Sequence, residues 1–170
     1  MRLRFTLLLL PLVLFSCHST SQSHNSKATF YLIRHAEKQG GEDPSLTAKG
    51  EQRAQFWASY FADKGIDAVY STNTTRTMQT ATPTAKALGL KIQQYDPTQL
   101  YDSDFKEAVE GKTVLIVGHT NTTADLANKI LGENEFQELD DAQFGKVFKI
   151  TLADGEADVD IKTLNNWDKG

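Results

Sequence analysis

The sequence predicts an α/β fold, a three-layer sandwich with a mostly parallel central sheet flanked by helices and a C-terminal β-hairpin. Three observations predict it. Short apolar runs alternate with segments of helical period through most of the chain, as in strand–helix–strand repeats. Turn residues mark most changes of period. Two late segments, 146–152 and 157–163, alternate in the strand manner around Ala153-Asp154-Gly155-Glu156 and read as the hairpin.

The elements follow in order. Residues 29–33 are a continuous run of β-branched, aromatic and aliphatic side chains, a buried strand. A polar loop covers 39–44, and Thr47 is placed as a helix cap. Ala54, Trp57, Ala58 and Phe61 then define one apolar helix face, which Lys64-Gly65 ends. Residues 68–70 form a second strand, and 75–88 a second helix stopped by Gly89, with Pro83 expected to kink or break it. A third strand covers 91–95 and a short helix 102–109. Residues 113–117 are the most apolar strand. The last helix, 121–131, ends at Gly132, with Thr122 and Asp125 spaced like a capping box.

The N-terminus reads differently. Arg2 and Arg4 precede an almost wholly apolar stretch to Phe15, followed by Ser16-Cys17. Residues 1–17 read as an export signal, too short to span a bilayer alone. The only cysteine stands where such a signal is cut, and Leu14-Phe15-Ser16-Cys17 resembles a bacterial lipobox, which marks Cys17 as the lipid attachment site. Residues 18–27, polar and serine-rich, form a flexible tether in which His18 and His24 are polar filler. Residues 28–170 are one domain. The expected location is outside the cytoplasmic membrane, held to it by lipid alone.

Composition excludes several functions. The chain carries a net charge of −4, and the leader takes two basic and no acidic residues with it. No basic stripe appears, so a nucleic-acid partner is not expected. With no cysteine in the domain, disulfides and thiolate metal sites are excluded. The histidines lack the spacing of H-E-x-x-H metal motifs, so neither metal nor cofactor is expected.

The chemistry lies at the strand exits. Arg34-His35, the segment from Ser71 to Arg76 and Gly118-His119 each follow a strand directly. Parallel strands bring all three to one end of the sheet, where ligands bind in such folds. Arginine's planar fork suits a phosphate dianion, so Arg34 and Arg76 are placed as a clamp. The helix starts after Ser71 and Gly118 add unpaired backbone donors. A neutral histidine is a nucleophile, and two guanidinium groups favour that neutral form in His35. His119 is placed to donate a hydrogen bond to the phosphoryl oxygens.

Four segments together resemble the histidine phosphatase superfamily, the phosphoglycerate mutase-like fold. They are Leu32-Ile33-Arg34-His35-Ala36-Glu37, Leu46-Thr47-x-x-Gly50, Ser71 to Ala81 with Arg76, Gln79 and Thr80 in place, and Val117-Gly118-His119. The resemblance implies His35 as the phosphorylated nucleophile, Arg34 and Arg76 as phosphate ligands and His119 as the second catalytic histidine. It implies no cofactor and a small phosphate ester as substrate. Arg53 stands where the family often has glutamine. The span 96–112 is shorter than the insertion that carries a proton-donating glutamate in mutases and broad phosphatases. Asp102, Asp104 and Glu107 lie in that span, with Asp102 preferred as donor and Glu37 as an alternative. The compact domain resembles the small phosphohistidine phosphatase branch, whose cytoplasmic protein substrates conflict with an export signal. The leading expectation is an exported, metal-independent phosphate-monoester phosphatase. Phosphohistidine phosphatase-like activity on a protein, and a non-catalytic phospho-ligand-binding lipoprotein, stand as alternatives.

Overall fold

The computed structural model describes residues 27–165. The leader, Cys17 and nearly all of the tether lie outside the described residues. Ten elements follow one another: β1 (Ala28–Arg34), α1 (Ala48–Phe61), β2 (Ala68–Ser71), α2 (Thr75–Leu88), β3 (Ile92–Gln94), α3 (Ser103–Val109), β4 (Thr113–Gly118), α4 (Thr120–Leu131), β5 (Lys146–Ala153) and β6 (Glu156–Thr163).

The strands form one mixed sheet in the order β3-β2-β4-β1-β5-β6. The first four strands are parallel, and β5 and β6 add antiparallel pairs at one edge. β4 lies between β2 and β1, so the strand order reverses there. The register sets Arg34 opposite Gly118 and Ser71 opposite Val117. Three strand exits therefore open side by side.

Every residue of β1 is buried, because helices cover both faces. Phe30 and Leu32 pack with Leu126, Ile130 and Phe148 on the α4 side. Tyr31 and Ile33 pack with Trp57, Phe61 and Ala85 on the α1–α2 side. The period-two alternation of the strand thus feeds two separate cores. Each fully buried side chain of this size contributes about 1.5–3 kcal/mol of transfer free energy.

The caps explain where the helices begin. The Thr47 hydroxyl accepts the Gly50 N–H at 3.1 Å, as its position predicts. Gly50 itself is required because a Cβ there would overlap the Glu37 carbonyl. Two details differ from the sequence expectation. Pro83 does not break α2, which runs from Thr75 to Leu88 with the proline inside it. The capping contact of α4 falls one turn earlier, with the Thr122 hydroxyl accepting the His119 N–H at 2.9 Å. Asp125 plays no part in it.

Candidate active site

His35 leaves β1 with its backbone N–H bonded to the Gly118 carbonyl at 2.9 Å, which ties the β1 exit to the β4 exit. The rings of His35 and His119 meet edge to face, 5.7 Å between centroids. Arg34, His35, Arg76 and His119 line one cavity of about 480 Å³, with Lys38, Pro97, Thr98, Asp141 and residues 120–122 of the first turn of α4. The four residues singled out by sequence are brought together.

The rings have defined tautomers because their partners do. His35 Nδ1 lies 2.8 Å from the Ala36 carbonyl and donates to it, which leaves the Nε2 lone pair free. His119 Nδ1 lies 3.2 Å from Nη2 of Arg76, which only donates, so Nδ1 is the acceptor. The proton of His119 is then on Nε2 and goes to the Thr72 hydroxyl at 2.9 Å. Thr72 passes its own proton to Thr77, 3.0 Å away, and Thr77 ends on the backbone carbonyls of Thr72 and Thr74.

Both histidines are held neutral, with pKa values lowered to about 4. Burial is the largest cause for each. The charges of Arg34 and Arg76 add to it, and for His35 the bond to Ala36 opposes it only in part. The arginine charge expected from sequence is therefore the smaller influence. Nuclear magnetic resonance titration of the two rings in the free protein should show both neutral at pH 5.5, where an ordinary histidine is mostly charged. The sign for stability follows: an unfolded histidine takes up a proton below pH ~6.5 and the folded one only near 4. The unfolding free energy should therefore fall as pH drops from ~6.5 toward 4, by up to about 1.4 kcal/mol per pH unit for buried His35 and by less for the half-exposed His119, which solvent screens.

Arg34 is gripped from its end. Its Nη1 donates to the carbonyls of Asp140 and Asp141 at 3.2 and 2.9 Å, and Nη2 meets the Asp141 carboxylate at 3.3 Å. Its guanidinium lies 4.3 Å from the ring centre of Phe144, a stacked cation–π contact. The side-on edge of the fork, Nε with Nη2, remains for a ligand. Among the described residues, the buried Nε atoms of Arg34 and Arg76 have no hydrogen-bond partner. Buried donors are normally satisfied, so two such atoms beside one cavity mark the place of an acceptor-rich ligand.

The segment around Arg76 has its own logic. The Thr80 hydroxyl accepts the Ala36 N–H at 2.9 Å, and Gln79 accepts the Leu46 N–H at 2.8 Å. The Arg-x-x-Gln-Thr-Ala run thus brings Arg76 to the cavity and sets two pins for the loop after His35. Asp43 accepts the Thr75 N–H at 3.0 Å and sits 3.5 Å from Arg76. The start of α2 is therefore already capped, and the free helix donors expected there are partly spent.

The two suggested proton donors are not in the cleft. Glu37 is clamped by Arg53 through two bonds of 2.8 and 2.7 Å. Burial pushes its carboxyl up, but the Arg53 fork and Lys49 outweigh that and hold it below the usual carboxylate range. Asp102 caps α3 by accepting the Phe105 N–H at 2.8 Å, and it lines a different cavity with Tyr95 and Phe105. Asp104 lines that second cavity as well.

Several site residues escape the sequence reading: Thr72, Asp43, Asp141 and Phe144. Only Thr72 had a local signal, its place just after β2. Thr72→Val should lower kcat/KM for a phosphate ester by about ten- to a hundredfold, since it leaves the half-buried His119 Nε2–H unpaired at a cost of ~1–3 kcal/mol. Thr72→Ser should restore most of it, and equal activity in all three proteins would deny Thr72 this role.

The comparisons with known proteins agree with this geometry. The sequence pattern of the histidine phosphatase superfamily (branch 1) matches residues 30–99, a span that holds Arg34, His35 and Arg76. Over that span the chain is similar to the histidine phosphatase superfamily. It is also 36% identical over 85 residues to the Probable phosphoglycerate mutase GpmB of Escherichia coli and Shigella boydii. That alignment covers 45% of this chain and 36% of the relative, so the chain spans about a third of that relative's length. Among solved structures, it superposes on the phosphoserine phosphatase of Entamoeba histolytica in complex with 3-phosphoglyceric acid with a TM-score of 0.62 at 17% identity, covering 82% of this chain and 98% of that one. It superposes on the protein histidine phosphatase SixA complexed with tungstate with a TM-score of 0.60 at 17% identity, covering 79% and 96%. At such identities the likeness is one of fold, a phosphoglycerate mutase-like α/β sheet of six strands flanked by four helices.

Proposed function

We propose that this protein hydrolyses phosphate monoesters without a metal ion, through a phosphohistidine on His35. The observation that carries the reading is the state of His35. It is buried and neutral, its Nε2 is unprotonated, and it shares a cavity with two arginines whose Nε donors lack partners. A dianion bound by those forks presents its phosphorus to Nε2, and fixed donors around the oxygens stabilise the charge of the transition state. Attack forms the N–P bond and breaks the bond to the leaving oxygen. Water then cleaves the N–P bond and restores His35.

The test is incubation of the purified protein with an aryl phosphate in the presence of chelator. Turnover accompanied by an acid-labile, base-stable phosphoryl label on His35 is the expected result. No turnover, or turnover without the label, would sink the reading. Phosphate-ester binding with no hydrolysis would instead favour the non-catalytic alternative.

A protein phosphohistidine substrate is favoured by one feature, the short connection from 95 to 112, whose acidic residues Asp96, Asp102, Asp104, Glu107 and Glu110 do not line the cavity. An imidazole leaving group needs less protonation than an alkoxide. Comparing a phosphohistidine-bearing protein with small esters separates the two. We further propose that the protein is exported and lipid-anchored at Cys17, supported by the basic-apolar leader and the lone cysteine at its end. Intact-mass measurement of membrane-extracted protein tests it; a full-length N-terminus without added lipid mass would reject it.

A further inference from the structure

The phosphatase reading lacks a proton donor for the leaving oxygen, and the structure narrows the choice. The cavity around His35 and His119 has one carboxylate among the residues that line it, that of Asp141. The other nearby carboxylates are spent. Glu37 is held by Arg53, Asp43 caps α2, Asp102 caps α3, and Asp140 accepts the Ala142 N–H at 2.8 Å in its own turn. The Asp141 carboxylate meets only Nη2 of Arg34 among the described residues, at 3.3 Å, and its side chain is 96% exposed.

The stereochemistry of Arg34 places Asp141 beside the reacting group. Asp141 holds the end of the guanidinium, through its carbonyl on Nη1 and its carboxylate on Nη2. The free edge is Nε with Nη2, and Nη2 belongs to both edges. A phosphoryl group on the free edge therefore shares a nitrogen with Asp141, and the carboxylate borders the substrate oxygens. Exposure of the side chain lets solvent reload the proton between turnovers.

We infer that Asp141 is the general acid of the phosphatase reaction, an assignment that rests on the phosphatase reading above. As His35 Nε2 bonds to phosphorus and the P–O bond breaks, the Asp141 carboxyl gives its proton to the leaving oxygen and an alcohol departs. The resulting carboxylate then takes a proton from the water that cleaves the N–P bond. Phosphate leaves, and both residues return to their starting states.

The test is Asp141→Asn assayed by kcat/KM on two esters, nitrophenyl phosphate and glycerol phosphate. Nitrophenolate leaves without a proton, whereas an alkoxide needs one. Asparagine keeps an acceptor for Nη2 of Arg34, and the nitrophenyl ester reports that the variant is folded and that Arg34 is in place. The expected result is a loss of about 10²-fold or more on glycerol phosphate and less than about threefold on nitrophenyl phosphate. Equal losses on both esters would mean that Asp141 only positions Arg34 and would overturn the assignment. No loss on either would overturn it too. A wild-type protein inert toward both esters removes the phosphatase reading and this inference with it. An active wild type with an unaffected variant removes the inference alone.

Discussion

Replacing His35 with alanine should lower kcat/KM for an aryl phosphate by roughly 10⁴-fold or more and abolish the phosphoryl label. The imidazole is the one group in the cavity whose free lone pair is held neutral, by burial first and then by the neighbouring arginines. Its loss removes the covalent route and leaves only the charge stabilisation of the arginine cradle. Binding of inorganic phosphate, read by calorimetry, should survive, because Arg34 and Arg76 are untouched. That separation of binding from turnover distinguishes a nucleophile from a phosphate ligand. Turnover within tenfold of the parent protein would reject His35 as the nucleophile.

Arg34→Lys should cost about 10²–10³-fold in kcat/KM, although the charge is kept. Arg34 has two tasks on two edges of one planar group. Its end is fixed by the carbonyls of Asp140 and Asp141 and by the Asp141 carboxylate, and its face by Phe144 at 4.3 Å. Its side-on edge, whose Nε has no partner among the described residues, takes the phosphoryl oxygens in the proposed reaction. A lysine ammonium is a point donor and cannot hold the loop and grip the phosphate at once. A loss below tenfold would show that charge alone suffices and that the fork geometry is incidental.

The pattern of what was legible follows from where the signals lie. Strand and helix positions were readable because apolar period, caps and glycine stops are local. Thr47, Gly89 and Gly132 mark helix ends where their chemistry requires. The break allowed for at Pro83 does not occur, because a single proline removes one hydrogen bond and the packing of Thr80, Ala81, Thr84 and Ala85 around it outweighs that loss. The proton-donor expectation pointed at Asp102 and Glu37 on sequence proximity alone. Each is claimed by a nearer partner, a helix N–H for one and the Arg53 fork for the other.

By itself, the sequence determined the α/β class, the order of elements and the meeting of Arg34, His35, Arg76 and His119. Parallel strands must release their C-terminal residues at one end of the sheet, so residues that follow three such strands converge without knowledge of any contact. Only the tertiary structure decided the protonation and reach of those groups. Thr72 holds the His119 proton, Phe144 and the carbonyls of 140–141 aim Arg34, and among the described residues Asp141 alone brings a carboxylate to the cavity wall. Asp141 stands 107 positions from Arg34 in the chain, in a loop whose residues carry no period and no motif. Contacts between such distant loop residues depend on how strand register and helix packing place the backbone, which no local pattern encodes.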